Sequence, residues 1–295
     1  MAFIKSFGFM GGDNLPDLTG LISASAATRK LWKMNNTTKA FTSVDIPSGF
    51  YDVSVMFPYK PYCSAETPGL VGSSISLSAS TAPLQIYNAL TGQVHNGPQC
   101  VCCCVDTSLR HIYYGVGTSI FEYDPETQVS TLKASLTNTP QFVFCDPSGN
   151  FYYISKGASW LYKHVSGTDQ KITLQSSEEH PLNGGTRPLA AFHYNASLDA
   201  FVFSKYNNYV YLVDIRNSKI TILDIIGDTS QKWYGLALSS DYKLAASWYY
   251  NGDGGHGSRM FLCDLTSDLE LGSVVNLEST WLSSNGSFGL TYFEE

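Results

Sequence analysis

The sequence predicts an all-β fold in one large domain, and three observations support this prediction. Six short segments share one pattern, a run of mixed apolar and aromatic residues that is closed by Asp, Asn or His and followed by a polar turn. Apolar and polar residues alternate in the segments that leave these turns, as they do in half-buried strands. The closing residues recur at intervals of 53, 36, 40, 50 and 50 positions, which indicates a repeated unit of several strands with loops of varying length.

The six segments can be read directly from the sequence. They are Leu31–Asn35, Leu84–Asn88, Ile120–Asp124, Trp160–His164, Val210–Asp214 and Met260–Asp264. An Asp or Asn at the end of a strand can accept a hydrogen bond from the backbone two residues later, which begins a tight turn. Two further strand patterns precede each segment and one follows it. Units of this kind predict a six-bladed β-propeller with four antiparallel strands in each blade.

The closing blade is predicted to be divided between the two ends of the repeat. Leu21–Ser25, Lys30–Met34 and Ala40–Val44 supply three strands, and Ser287–Phe293 supplies the missing first strand. A ring needs its ends joined, because open blades would expose unpaired strand edges to water. The predicted organisation is therefore an N-terminal arm over residues 1–19 and a propeller over residues 20–295.

Two segments resemble turns of kelch, NHL and related propeller repeats. These are Ile120–Thr127 and Asp146–Ile154, and the rhythm of the resemblance covers most of residues 20–295. The Trp-Asp and Gly-His signatures of WD repeats and the double glycine of kelch repeats are missing, so no specific family is indicated. The resemblance implies the architecture alone, since unrelated functions share this fold.

The amino-acid composition argues against some classes of binding partner. The net charge of −7 argues against nucleic acid, because phosphate binding needs a basic face. No apolar run reaches the roughly eighteen residues of a membrane span, and the first ten residues do not form a signal peptide. We therefore expect synthesis in the cytoplasm. The seven cysteines do not suggest a disulfide framework, and we expect them to be reduced and buried.

Two long segments supply a candidate ligand or partner site. The Gly-rich stretch 249–259 is predicted to join the second and third strands of the fifth blade, on the face where the connections between blades lie, and 178–187 is one of those connections. Their side chains predicted to converge near the channel mouth are His180, Asn183, Arg187, Asp253, His256 and Arg259. The alternative is a flexible hairpin with charged tips. Asn251–Gly254 resembles half a calcium loop but lacks the spaced carboxylates, so no metal or other cofactor is predicted.

The N-terminal arm is predicted to dock on a protein surface. Its apolar side chains are Phe3, Ile4, Phe7, Phe9 and Met10. Such an arm would reduce solubility unless it were covered. Docking on its own ring and docking on a neighbouring subunit are both open.

No catalytic residue is predicted, because the chain lacks a Gly-x-Ser-x-Gly elbow, a phosphate-binding loop with Lys and a His-Glu-x-x-His motif. With only 15% charged residues, the chain fits a non-enzymatic binding or scaffolding propeller in a larger protein assembly. A structural component of a virion or phage tail would have this profile. A glycan-binding or glycan-cleaving propeller is the main alternative, and a lactonase-like enzyme with calcium in the channel is a third.

Overall fold

The computed structural model describes thirteen parts of the chain. These are residues 20–25, 30–34, 41–45, 50, 55–64, 67–73, 81–155, 160–175, 189–205, 209–225, 232–252, 255–277 and 288–293. Within them the secondary structure is β, apart from a single-turn 3₁₀ helix at Lys60–Tyr62. Among the described residues, no helix has the length and apolar character to cross a membrane.

Strands are numbered β1 to β24 in chain order. They are β1 (Gly20–Ser25), β2 (Lys30–Met34), β3 (Phe41–Asp45), β4 (Val55–Pro58), β5 (Leu70–Ser73), β6 (Ala82–Asn88), β7 (Gln93–Cys100), β8 (Cys102–Val105), β9 (Ile112–Val116), β10 (Ser119–Asp124), β11 (Val129–Ser135), β12 (Pro140–Cys145), β13 (Phe151–Ser155), β14 (Leu161–Val165), β15 (Thr168–Ile172), β16 (Leu189–Asn195), β17 (Ala200–Lys205), β18 (Val210–Asp214), β19 (Lys219–Leu223), β20 (Lys232–Leu238), β21 (Lys243–Gly252), β22 (Gly255–Leu265), β23 (Leu271–Leu277) and β24 (Phe288–Phe293).

The strands form six sheets of four antiparallel strands. Blades 1 to 5 are β4–β7, β8–β11, β12–β15, β16–β19 and β20–β23, each in sequential order. Blade 6 has the order β24-β1-β2-β3, and its register runs from Gly20 opposite Phe293 to Ser25 opposite Phe288. The prediction of a six-bladed β-propeller with four-stranded blades is confirmed.

The first strand of each sheet lies nearest the centre. These inner strands are β4, β8, β12, β16, β20 and β24, and each contacts the next around the circle, including β24 with β4. The six sheets therefore surround one central channel. The inner strands β4 and β16 also contact each other across the ring, so their residues converge from blades that are distant in sequence.

Large aromatic side chains fill the spaces between neighbouring blades. Phe144 of blade 3 stacks on Tyr194 of blade 4 with ring centroids 4.3 Å apart, and on Phe192 at 5.6 Å. Phe201 and Phe203 of β17 are fully buried beside them. Burial of each such ring stabilises the fold by roughly 1.5–3 kcal/mol. This core holds the inner strands in fixed positions.

The predicted turn role of the strand-closing residues is confirmed at three sites. The Oδ1 atoms of Asn88 and Asp124 accept from the backbone N–H two residues later, in Leu90 and Glu126. Asp214 begins its turn by accepting from Asn217, three residues later. In the fourth segment, Trp160–His164, the closing residue is His164. Its ring Nδ1 lies 2.6 Å from Oδ1 of Asp169 instead of beginning the turn.

The Gly-rich stretch 249–259 lies between the second and third strands of blade 5, as predicted, and most of it continues their ladder. The β21–β22 pairing extends to Gly252 opposite Gly255, because glycine backbones still form regular ladder hydrogen bonds. Among the cysteines, Cys100 ends β7, and the next three, Cys102 to Cys104, lie in β8.

Candidate functional site

A cavity of about 200 Å³ opens at one mouth of the central channel. It lies where the inner strands of five blades end. One residue from each of these blades is Phe57, Asp106, Phe144, Asn195 and Tyr292. Cavities formed where several elements converge are the usual places for ligand binding in proteins.

A loop after β4, held by hydrogen bonds to blade 2, places Lys60 in the wall of this cavity. Pro58 ends β4, and Pro61 favours the turn of 3₁₀ helix that follows. The Lys60 N–H donates to the Leu109 carbonyl of blade 2 at 2.9 Å, and the Tyr62 hydroxyl donates to Glu126 Oε1 at 2.7 Å. The loop of blade 1 is therefore fixed to blade 2.

Asp106 follows β8 and organises the next turn. Its Oδ1 atom accepts from the backbone N–H groups of Arg110 and His111, each at 2.8 Å, and the Ser108 hydroxyl donates to Oδ2. Burial acts to raise the pKa of Asp106, but these hydrogen bonds outweigh it and hold the pKa below its usual value. Asp106 is thus a fixed negative charge in the cavity wall.

His193 forms a buried polar floor that joins three blades. Its Nδ1 atom accepts from the Leu238 N–H of blade 5 at 3.2 Å, and Nε2 lies 3.3 Å from the Thr291 hydroxyl of blade 6. Since Nδ1 accepts, the ring hydrogen is on Nε2. Burial lowers the pKa of His193 from 6.5 to about 4, so the ring is neutral at neutral pH. Asn195 adds a hydrogen bond from its amide to the Leu238 carbonyl at 3.1 Å.

Aromatic rings form the remaining wall. Phe57, Phe144, Tyr194 and Tyr292 all line the cavity. The Tyr194 hydroxyl points to Asp199 and donates to its Oδ1 at 3.3 Å. Burial raises the pKa of Asp199. The cavity therefore combines an apolar wall, a neutral polar floor and two charged groups at its sides.

Three ionisable groups of the cavity wall are each held in one protonation state at neutral pH. Asp106 is ionised and already accepts three hydrogen bonds, and the His193 ring is neutral with both nitrogens engaged. Burial raises the pKa of the Cys104 thiol far above its ordinary value, which suppresses the reactive thiolate. These groups can orient a ligand.

The predicted loop site and the predicted arm fall outside what is described. His180, Asn183, Arg187 and Asp253 lie outside the described residues, as does the arm 1–19. His256 and Arg259 are in β22, where their backbones pair with Asn251 and Trp248, but their side chains are not described. Their convergence stays a prediction.

The cavity lies at the opposite end of the blades from the turn between β21 and β22. Successive antiparallel strands reverse direction, so the turns after the first and second strands of a blade lie at opposite ends.

Sequence reasoning missed the cavity because each lining residue resembles an ordinary core or turn residue. The best available signal was the Val105-Asp-Thr-Ser108 turn after an inner strand.

Metal ligation has no support in the described parts of the chain, where no group of three or more His, Cys, Asp or Glu side chains is placed to hold an ion.

Comparisons with known proteins bear on the fold. No family model matches the chain, and no curated protein sequence matches it. Among solved structures, hydrazine synthase from Kuenenia stuttgartiensis is similar over 82% of this chain and 70% of that chain, with 12% identity and a TM-score of 0.50. The β-propeller domain of Cps50 (Swd1) from Myceliophteria thermophila is similar over 79% and 89%, with 12% identity and a TM-score of 0.43. Likeness at this level of identity concerns architecture alone.

Proposed function

We propose that the chain is a non-enzymatic binding or scaffolding propeller built into a larger protein assembly. The observation that supports this function is the character of two outer strands, β11 of blade 2 and β23 of blade 5. Each is the last strand of its sheet. Val129 and Leu132 on β11 are each 55% exposed, and Val275 on β23 is 52% exposed. Exposed apolar side chains on a sheet edge favour contact with another protein.

These two edges lack the usual protection against strand pairing. Strand β23 contains no charged residue, and the single charge on β11 is Lys133, whose ammonium pairs with Glu122 at 2.6 Å. Among the other outer strands, β7 carries Pro98, and β15 carries both Asp169 and Lys171. Lysine and proline on an edge normally prevent another chain from adding a strand. The edges of blades 2 and 5 therefore fit strands of a partner protein.

The positions of the two edges suit a scaffold. Blades 2 and 5 are three places apart in a ring of six, so β11 and β23 lie on opposite sides of the ring. A protein with two opposite binding edges can link two neighbours. A virion or phage tail component, made in the cytoplasm, is the specific form of assembly that we propose.

Charge substitution on the edges tests the proposal. The tagged chain is expressed in the organism that encodes it, and assemblies are separated by sedimentation and identified by mass spectrometry. We expect the wild type to sediment with a particle in fixed stoichiometry. Leu132→Lys and Val275→Lys should release it, whereas Leu90→Lys should not, because Leu90 is exposed in the turn between β6 and β7.

Three results would contradict the proposal. One is a wild-type protein that sediments only as a free monomer, and another is equal retention of all three variants in the particle. The third is binding to an immobilised glycan that both edge variants retain, which would favour the glycan-binding alternative. Recovery of virion or tail proteins in the same fraction would support the specific form of the proposal.

A further inference from the structure

The cavity at the channel mouth contains two opposite charges that do not pair with each other. Lys60 and Asp106 both line it. No acidic oxygen among the described residues lies within 4.0 Å of the Lys60 ammonium. Lys60 is half-buried, and a charge that is partly removed from water gains from a partner of opposite sign. The cavity wall therefore contains the Lys60 ammonium, which pairs with no acidic group among the described residues, and the fixed negative charge of Asp106.

The other polar groups of the wall are already occupied. Both His193 nitrogens and the Asn195 side chain make hydrogen bonds to the protein. Four groups remain to contact a ligand. They are Lys60, the rim hydroxyls of Thr107 and Ser197, and the outer side of the Asp106 carboxylate. Recognition of polar atoms is thus concentrated at the rim.

The deeper wall is apolar and rigid. Phe144 and Tyr194 stack at 4.3 Å, and Phe144 is also stacked on Tyr152 at 5.0 Å. Phe57 and Tyr292 lie in the same cavity and are buried. Rings fixed in this way bind an apolar group without losing conformational entropy of their own.

We infer that this cavity binds a small zwitterion with an apolar side chain, an amino acid or a close analogue. Its ammonium group pairs with Asp106, its carboxylate pairs with Lys60, and its side chain packs against the aromatic wall. The volume of about 200 Å³ is below the range of drug-sized pockets and matches a ligand of this size. The site is separate from the edges of blades 2 and 5.

Calorimetry of the full-length protein tests this inference with three probes. They are L-phenylalanine, phenethylamine, which lacks the carboxylate, and 3-phenylpropionate, which lacks the amine. We expect L-phenylalanine to bind with a Kd of about 1 mM or tighter, and each half-ligand to bind at least about tenfold more weakly, as expected for loss of one charged hydrogen bond.

Two variants separate the roles of the charges. Lys60→Met should reduce L-phenylalanine affinity to that of phenethylamine while leaving phenethylamine binding unchanged. Asp106→Asn keeps an oxygen for the turn and should affect the amine-bearing probes only. Matched controls are Lys219→Met, which is exposed in β19, and Asp124→Asn, which closes a comparable turn on β10.

The inference is wrong if L-phenylalanine does not bind the wild type, or if its binding is unchanged in Lys60→Met. Melting temperatures of all variants, measured in parallel, show whether an affected variant is folded. Because Lys60→Met is judged by the ratio between two probes, a uniform loss of binding through misfolding is distinguishable from loss of the carboxylate contact.

Discussion

His193 is expected to make the stability of the ring depend on pH. It lies in β16 and joins blades 4, 5 and 6 through hydrogen bonds with Leu238 and Thr291. Protonation would place a hydrogen on Nδ1, which could then no longer accept from the Leu238 N–H. The perturbation that we consider is His193→Leu, which removes both hydrogen bonds and the titration together.

The magnitude follows from the two pKa values of the ring. A histidine in the unfolded chain titrates near 6.5, and burial lowers the pKa of His193 in the folded protein to about 4. Between these values the unfolded chain binds a proton that the folded protein does not. The free energy of unfolding therefore falls as pH decreases from 6.5 to about 4, by roughly 3 kcal/mol in total. Above pH 6.5 the contribution is fully present.

Urea denaturation measured between about pH 7 and pH 4 gives the difference in unfolding free energy between wild type and His193→Leu. At neutral pH the variant should be less stable by about 1–3 kcal/mol, because it leaves the Leu238 N–H buried without an acceptor. Towards pH 4 the wild type alone loses roughly 3 kcal/mol, so the variant should become as stable as the wild type or more stable. His95→Gln is the control, since His95 is exposed on β7 and should follow the wild type. Parallel curves for wild type and His193→Leu would refute the reasoning.

Three further predictions concern packing, a buried carboxylate and the thiols. Gly69→Ala should destabilise the fold by more than about 2 kcal/mol, because the added Cβ would lie 2.6 Å from the Tyr62 carbonyl carbon. Thermal unfolding measures this. Gly92→Ala, where nothing lies within 4 Å but φ is +69°, should lose only the roughly 1–2 kcal/mol of a left-handed backbone, and a loss in Gly69→Ala no larger than this would contradict the prediction. Asp169→Asn should cost about 2 kcal/mol in urea denaturation, since Asp169 accepts from the Tyr153 hydroxyl at 2.6 Å and also contacts His164. The exposed Asp124→Asn should lose clearly less stability, and an equal loss in both variants would contradict the prediction. The seven thiols are buried, and burial raises their pKa values. A disulfide reagent at neutral pH should therefore label them only at the rate of unfolding. Rapid labelling of the native protein would contradict this, because it would show that the thiols are accessible.

Local patterns were enough to predict the repeated blades. Asn88, Asp124 and Asp214 close strands and begin turns by contacts within three residues, so their role is visible in a short stretch of sequence. Alternation of apolar residues also identifies strands without knowledge of their neighbours. The β21–β22 extension was not predictable in the same way, because its glycines carry no side chain to show the alternation.

The cavity could not be predicted because no local pattern carries it. Asp106, Phe144, Asn195 and Tyr292 come from four different blades, and tens of residues separate each from the next. Each has an ordinary local explanation as a turn or core residue. Their proximity depends on the ring, on the ends of the inner strands and on the loop that Lys60 fastens to Leu109. Only the assembled fold supplies those relationships.

The pairing of β1 with β24 also has a consequence for the nascent chain. Residues 20–25 leave the ribosome early, yet the strand that borders them, residues 288–293, is made after all of the intervening blades. At translation rates of about 5–20 residues per second, the early strand waits on the order of 10–60 s for its neighbour. During that interval its backbone donors and acceptors on one side face water or a chaperone, so slow translation should increase dependence on such helpers.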